Sequence, residues 1–457
     1  MDTIEDDIQD SIEQDIEVDT GSEIEYDIEY DIEYDIEDDI EDDIEDKATI
    51  VVNPFGPWGV HFGDFGSSCI TARFVWLHLP PELRQAVRKM EFCIELKTYT
   101  CADGCDKPES QSTIEANNTL FTKALWGLFS ILAKWDIVFD QPGLALEIVP
   151  KSTSDRCHGF TALGNINVGT NRDHLQLSVA GSTKRVLLNP LDLTLDRGAE
   201  LPEVPIIEEL RFPWDSFRSS STESLESLLK SLPRLQVIQY GALQGVNQHE
   251  QERRDLTLLA ILRSSGSSIR TVHIHEQCAT EDARRHRQGS PPPEFQRQGC
   301  NPQLVSAAVE ASYGLERFYL RQALNVGAGS FFQHIEAAGS HQFWPVLEHL
   351  ELCTNSGKDV NHLGLAAAKA VLRMPKIRTL AIVYGESTRL VLLYYSRKKD
   401  STRLIVETER RERLNSGVVK AWERVVEQRD APKLEIWYKS WPWELFYDLE
   451  QMRGSYG

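Results

Sequence analysis

A short hydrophobic run of the form L-x-x-L-x-L recurs between about residues 200 and 440, and a stretch of helical spacing follows each copy. The copies are Ile207–Phe212, Leu235–Tyr240, Ile269–Ile274, Leu315–Leu320, Leu347–Leu352 and Ile377–Ile382, with a weaker one at Leu434–Tyr438. The intervening helices are expected at Thr222–Ser231, Leu256–Arg263, Pro302–Ser312, Phe331–Ala337, Leu363–Arg373 and Val418–Glu427. Ser221 precedes the first and Asn301-Pro302 opens the third; both are good helix starts. In each L-x-L the two apolar side chains share one face of a strand and the residue between them points to the other. Stacked units of this kind predict a parallel sheet with helices outside it, an irregular leucine-rich-repeat-like solenoid of the α/β class. The copies start 28, 34, 46, 32, 30 and 57 residues apart, longer than the 20–29 of regular leucine-rich repeats, so insertions such as 276–301 are expected. A doubly wound α/β domain is the alternative, because it too alternates strands with helices.

N-terminal to the repeats, residues 73–200 read as an α/β segment. A helix is expected over Leu83–Met90, a strand over Phe92–Tyr99, a helix over Leu120–Trp135 and a strand over Leu144–Val149. Residues 48–72 are rich in Gly and aromatics without periodicity and read as a linker. Ile falls at every fourth position from Ile4 to Ile44 apart from Thr20, and the tract 23–37 alternates acid with Ile or Tyr. A four-residue step drifts about 40° per repeat on a helix, so no fixed apolar face forms. Stacking the tract as strands would set like charges side by side. Residues 1–47 are therefore expected to be a disordered acidic low-complexity tail, either an electrostatic arm or a passive repeat.

Charge sharpens this division. The chain has 71 acids and 48 bases, and residues 1–46 hold 24 of the acids and no base, which leaves 47 acids against 48 bases in the rest. A neutral body of this kind argues against a globally basic nucleic-acid binder. No apolar run approaches the roughly 20 residues that span a bilayer, so a membrane partner is not expected either. The start, Met1-Asp2-Thr3-Ile4-Glu5-Asp6, has neither the basic nor the apolar part of a secretory signal. With eight Cys at irregular spacing, a cytoplasmic or nuclear protein with reduced thiols is expected.

Candidate chemistry is sparse. Cys101-Ala102-Asp103-Gly104-Cys105 could be half of a zinc knuckle, but no second pair stands at a standard spacing. His273 and His275 share one strand face beside Glu276, with no third metal ligand identifiable. Gly327-Ala328-Gly329 lacks the third Gly of a dinucleotide loop, and neither a G-x-S-x-G elbow nor a phosphate-binding loop occurs. No catalytic residue, metal site or cofactor is therefore assigned. The outward strand positions Arg211, Gln239, His273, Tyr319, Glu351, Ala381 and Trp437 would form a concave face that mixes polar and aromatic groups, a composition suited to a protein partner. Trp437, Trp441, Trp443, Phe446 and Tyr447 read as an aromatic cap closing the 201–457 domain.

Cys93–Trp135, Leu232–Tyr240, Met374–Leu380 and Val419–Glu423 together resemble an uncharacterised family of filamentous-fungal F-box-like proteins with a leucine-rich-repeat-like body. The resemblance covers about 75–452. Leu79-Pro80-Pro81-Glu82-Leu83 is similar to the Leu-Pro-x-Glu-Leu opening of an F-box, which would recruit a Skp-type adaptor. Leu83 runs into Val87–Ile94 of the next family segment, so the F-box is truncated here. The resemblance implies a non-enzymatic interaction module, a substrate receptor of a ubiquitin ligase. A standalone scaffold without the ligase link is the alternative, and an α/β enzyme is a third class.

Overall fold

A computed structural model of the chain describes residues 49–52, 59–62, 70–71, 84, 87–98, 109–135, 142–152, 189–196, 198–213, 218–243, 248–264, 268–277, 300–321, 326–337, 339, 344–354, 360–386, 389–408, 413–429 and 431–439. All lie in the unit Lys47–Gly457. The acidic tail 1–47, Leu79–Leu83, Cys101, Cys105, Cys157 and the aromatic residues after Lys439 lie outside the described residues.

The strands are β1 (Thr49–Val52), β2 (Gly59–Phe62), β3 (Ile70–Thr71), β4 (Lys89–Leu96), β5 (Leu144–Ser152), β6 (Ile207–Phe212) and β7 (Val237–Leu243). They continue as β8 (Thr271–Gln277), β9 (Arg317–Arg321), β10 (His349–Thr354), β11 (Thr379–Glu386), β12 (Arg389–Arg397), β13 (Thr402–Thr408) and β14 (Leu434–Lys439). The helices are α1 (Gln111–Leu132), α2 (Thr222–Lys230), α3 (Gln248–Ser264), α4 (Pro302–Ser312), α5 (Ala328–Ala337), α6 (Val360–Val371) and α7 (Ser416–Glu427). The strands form one open sheet in the order β14-β13-β12-β11-β10-β9-β8-β7-β6-β5-β4-β1-β2-β3.

From β4 to β11 spatial order follows chain order, and each strand runs parallel to the next. A doubly wound sheet must reverse its strand order at a switch point. No reversal occurs along β4–β11, so the expected solenoid-like α/β architecture holds and the doubly wound alternative does not. The helices form a matching series: α2 packs on α3, α3 on α4, and so on to α7.

The L-x-x-L-x-L runs explain this stacking residue by residue. The middle and last apolar positions sit on the strand and face the helices: Leu210 and Phe212, Ile238 and Tyr240, Val272 and Ile274, Phe318 and Leu320, Leu350 and Leu352, Leu380 and Ile382, all buried. The leading residue falls just before the strand and is buried as well, at Leu235, Ile269, Leu315, Leu347 and Ile377. A backbone ladder ties these strand starts together, from Gln236 N–H to Glu208 C=O through Arg270, Glu316 and Glu348 to Arg378. Fully burying each such apolar side chain contributes about 1.5–3 kcal/mol, which fixes the register between repeats. Side chains cap the helix starts as their residue types predict: Ser221 accepts from the Ser224 N–H, and Asn301 from the Gln303 N–H.

Three features differ from the sequence expectation. Residues 48–72, expected as a linker, supply β1, β2 and β3; β1 pairs parallel with β4 and antiparallel with β2. Strands of two to four residues are too short to show a period. Lys89 and Met90, expected at the end of a helix, begin β4. The 57 residues before the last repeat hold an antiparallel pair, β12 and β13, which follows β11 without an intervening helix, and α7 then leads to β14, parallel to β13.

At residue 200 the sheet is continuous, because β5 pairs with β6 across that point. Leu193 N–H donates to Ser224 Oγ and Arg218 to Glu109 across the same point, while Thr194 N–H donates to Thr122 Oγ1 on its N-terminal side.

Candidate functional site

One face of the sheet turns toward the helices; the other carries the alternate strand positions. Register places Glu91, Glu147, Arg211, Gln239, His273, Tyr319, Glu351, Ala381, Tyr394, Ile405 and Trp437 in one continuous row across β4 to β14. Every position expected on the outward face (Arg211, Gln239, His273, Tyr319, Glu351, Ala381 and Trp437) lies in that row. A second row, two residues nearer the strand starts on β9, holds Arg317 between Thr271 and His349. On the other side His275 pairs with Arg321. Sequence reading missed Arg317, Arg321 and Glu209 as members of this surface. Their signal was parity, since each sits two residues from a position in the first row.

The row changes character along its length. From β6 to β10 it is polar and internally paired. Arg211 Nε lies 2.7 Å from Glu209 Oε1, which also accepts from Gln239 Nε2 at 2.8 Å. Arg321 Nε lies 3.0 Å from Glu351 Oε1, and its guanidinium sits 5.9 Å from the Tyr319 ring. The His273 and Tyr319 rings pack with centroids 4.2 Å apart. From β11 to β14 the row is Ala381, Tyr394, Ile405 and Trp437, and Trp437 is 41% exposed beneath the Arg403 guanidinium at 4.8 Å.

The histidines are held neutral. Burial pushes His273 down to about 3, and Arg321, Arg317 and Arg211 push the same way. Burial pushes His275 down to about 4, with Arg321 adding to the shift and Glu276 opposing it. Glu276 itself faces the helices and is buried. Burial also raises the Tyr319 phenol. At the N-terminal end, Cys93 Sγ donates to Glu91 Oε1 at 3.1 Å and accepts from Lys151 Nζ at 3.3 Å. Burial raises that thiol to about 11, so it stays protonated at neutral pH, and a protonated thiol is a poor nucleophile and metal ligand. Among the described residues no cluster of three or more His, Cys, Asp or Glu is placed to hold a metal ion.

The histidine shifts set a pH dependence of stability. Unfolded histidine titrates near 6.5 and these two titrate far lower when folded, so between about pH 3 and 6.5 the unfolded chain binds more protons. Their contribution is therefore neutral above that window, and stability falls as pH drops through it. His273→Gln should flatten this slope: the stability gap between variant and wild type, measured by urea denaturation, moves in favour of the variant between about pH 7 and pH 5. A gap that is constant with pH would contradict the assigned burial.

A cavity of about 350 Å³ lies elsewhere, at the strand starts, lined by Pro233, Arg234, Gln236, Ser268, Arg270 and Glu316 among others. It shares no residue with the row, and its two arginines are engaged, Arg234 with Glu208 and Arg270 with Glu316.

This geometry defines a solenoid-like α/β protein with a broad, side-chain-rich open sheet face. Residues 264–447, from the end of α3 to beyond β14, match the model of a family of unknown function, DUF6546. No curated protein and no solved structure matches the chain. Among the described residues no helix is long and apolar enough to cross a membrane.

Proposed function

We propose that this chain is a protein-binding module that works without catalysis and holds its partner on the open sheet face. The single observation that carries the reading is the unbroken row from Arg211 to Trp437, polar and arginine-bearing in one half and aromatic in the other. Arg, Tyr and Trp dominate the energetics of protein interfaces, and stacked repeats offer such side chains over a long surface. The histidines favour binding over proton transfer: an imidazole near 3 is a weak general base at neutral pH. Carried through the resemblance, the partner is the substrate of a ubiquitin ligase, with a Skp-type adaptor recruited by Leu79-Pro80-Pro81-Glu82-Leu83.

The combined replacement Arg211→Ala, Tyr319→Ala and Trp437→Ala tests the reading. These side chains lie on the open face, so the fold should survive, with circular dichroism and melting close to wild type. Proteins captured specifically by the wild-type chain should be lost by the variant. Retained capture would exclude this face. Co-purification of a Skp-type adaptor separates a ligase receptor from a standalone scaffold.

A further inference from the structure

If the open face is the docking surface, its charge and spacing constrain what docks. Across β6–β10 three guanidiniums, Arg211, Arg317 and Arg321, stand against two carboxylates, Glu209 and Glu351. Arg211 and Arg321 are engaged with those carboxylates. Arg317 is exposed and makes no ion pair among the described residues. One positive charge is therefore uncommitted, beside the His273–Tyr319 ring pair. The groups that face His273 from the neighbouring strands are Gln239, Tyr319, Arg211, Arg317 and Arg321; Glu209 and Glu351 pair with Arg211 and Arg321, and no ion pair offsets Arg317 among the described residues.

Five strand steps further along the sheet, the row ends at the exposed Trp437. Strands about 4.8 Å apart put roughly 24 Å between β9 and β14, the reach of about seven extended residues. The small Ala381 side chain leaves a low point in the row between Glu351 and Tyr394.

We infer that the occupant of this face is an extended segment of a partner protein carrying an Asp or Glu carboxylate over Arg317 and an apolar side chain about seven residues away against Trp437. This deepens the proposed binding role and rests on it. A single carboxylate matches the single unpaired guanidinium, which can take it bidentately. A dianionic phosphate would exceed the available charge and approach Glu209 and Glu351. The arginine field that adds to burial at His273 is the field an incoming carboxylate would relieve.

The test uses the full chain and fluorescently labelled synthetic peptides. Each carries an Asp-Glu pair and a Leu-Phe pair joined by Gly-Ser linkers of graded length. Companion sets replace Asp-Glu with Lys-Arg, Ser-Ser or phosphoserine. Binding is read by anisotropy at two salt concentrations. The Asp-Glu set should bind best, peak near a separation of about seven residues, and weaken with salt. Arg317→Ala should weaken that set about tenfold and leave the Ser-Ser set unchanged. Trp437→Ala should weaken every set that binds. Binding led by the Lys-Arg, Ser-Ser or phosphoserine set overturns the acidic segment, as does indifference to Arg317→Ala or the absence of any peptide binding. Those results leave the docking face itself to stand or fall with the triple substitution, so the two failures are distinguishable.

Discussion

Glu109→Ala should destabilise the fold by about 3–5 kcal/mol, the cost of leaving one partner of a buried ion pair behind. Arg218 donates to both oxygens of Glu109, at 2.9 and 2.8 Å, and the two side chains are 0% and 1% exposed. Asn117 on α1 donates to the same carboxylate. Removing that carboxylate takes two charge-assisted hydrogen bonds from a guanidinium buried away from water. Equilibrium denaturation in urea, followed by far-UV circular dichroism, measures the loss. The double replacement Glu109→Leu with Arg218→Met should recover most of it, because apolar residues of similar volume often match or exceed a buried pair. A loss below about 1 kcal/mol in the single variant would place the pair in water, where such bridges contribute little.

That pair also links two parts of the body that are far apart in the chain. Glu109 precedes α1 and Arg218 precedes α2, 109 residues later in the chain. With the Ser224–Leu193 bond it fastens the first α/β segment to the repeats, and the Thr122–Thr194 bond ties α1 to the stretch that carries Leu193. The boundary expected near residue 200 is therefore spanned by a shared sheet and a shared buried polar seam.

Much of the repeat body was legible because its signal is local. L-x-x-L-x-L fixes which residues enter the core and, since strand side chains alternate, which residue between them must face outward. Parallel register then carries Gln239 to His273 to Tyr319 to Glu351 without further information. Contacts between residues far apart in the chain left no such trace. Nothing in the sequence near Arg218 announces Glu109. The β12–β13 pair was missed because the reading sought a helix after each strand, although Arg389–Arg397 and Thr402–Thr408 are apolar enough to pair. Arg317 and Arg321 were missed because the L-x-L pattern marks only one outward residue per repeat, whereas the exposed surface is three residues deep.

Trp344→Ala should cost about 3–5 kcal/mol, the range for deleting a fully buried large aromatic. Trp344 is 0% exposed and lies just before β10. Its indole N–H donates to Ser312 Oγ at 2.7 Å, its ring stacks on Tyr313 at 4.5 Å, and its backbone N–H bonds the Arg373 carbonyl. One residue thus joins the end of α4, by its side chain, to the segment after α6, by its backbone, just ahead of β10. In a solenoid each repeat is stabilised chiefly by its neighbours, so damage at one joint lowers the coupling as well as the total stability. The variant should therefore unfold with a lower midpoint and a broader urea transition than wild type, and Glu109→Ala should shift the midpoint by a similar amount while acting N-terminal to the repeats. Trp344→Phe isolates the hydrogen bond: the ring still fills most of the space, and the cost should fall to about 1–2 kcal/mol. If Trp344→Ala and Trp344→Phe cost the same, the indole fills no essential volume, and the stacking assigned to Tyr313 and Trp344 is wrong.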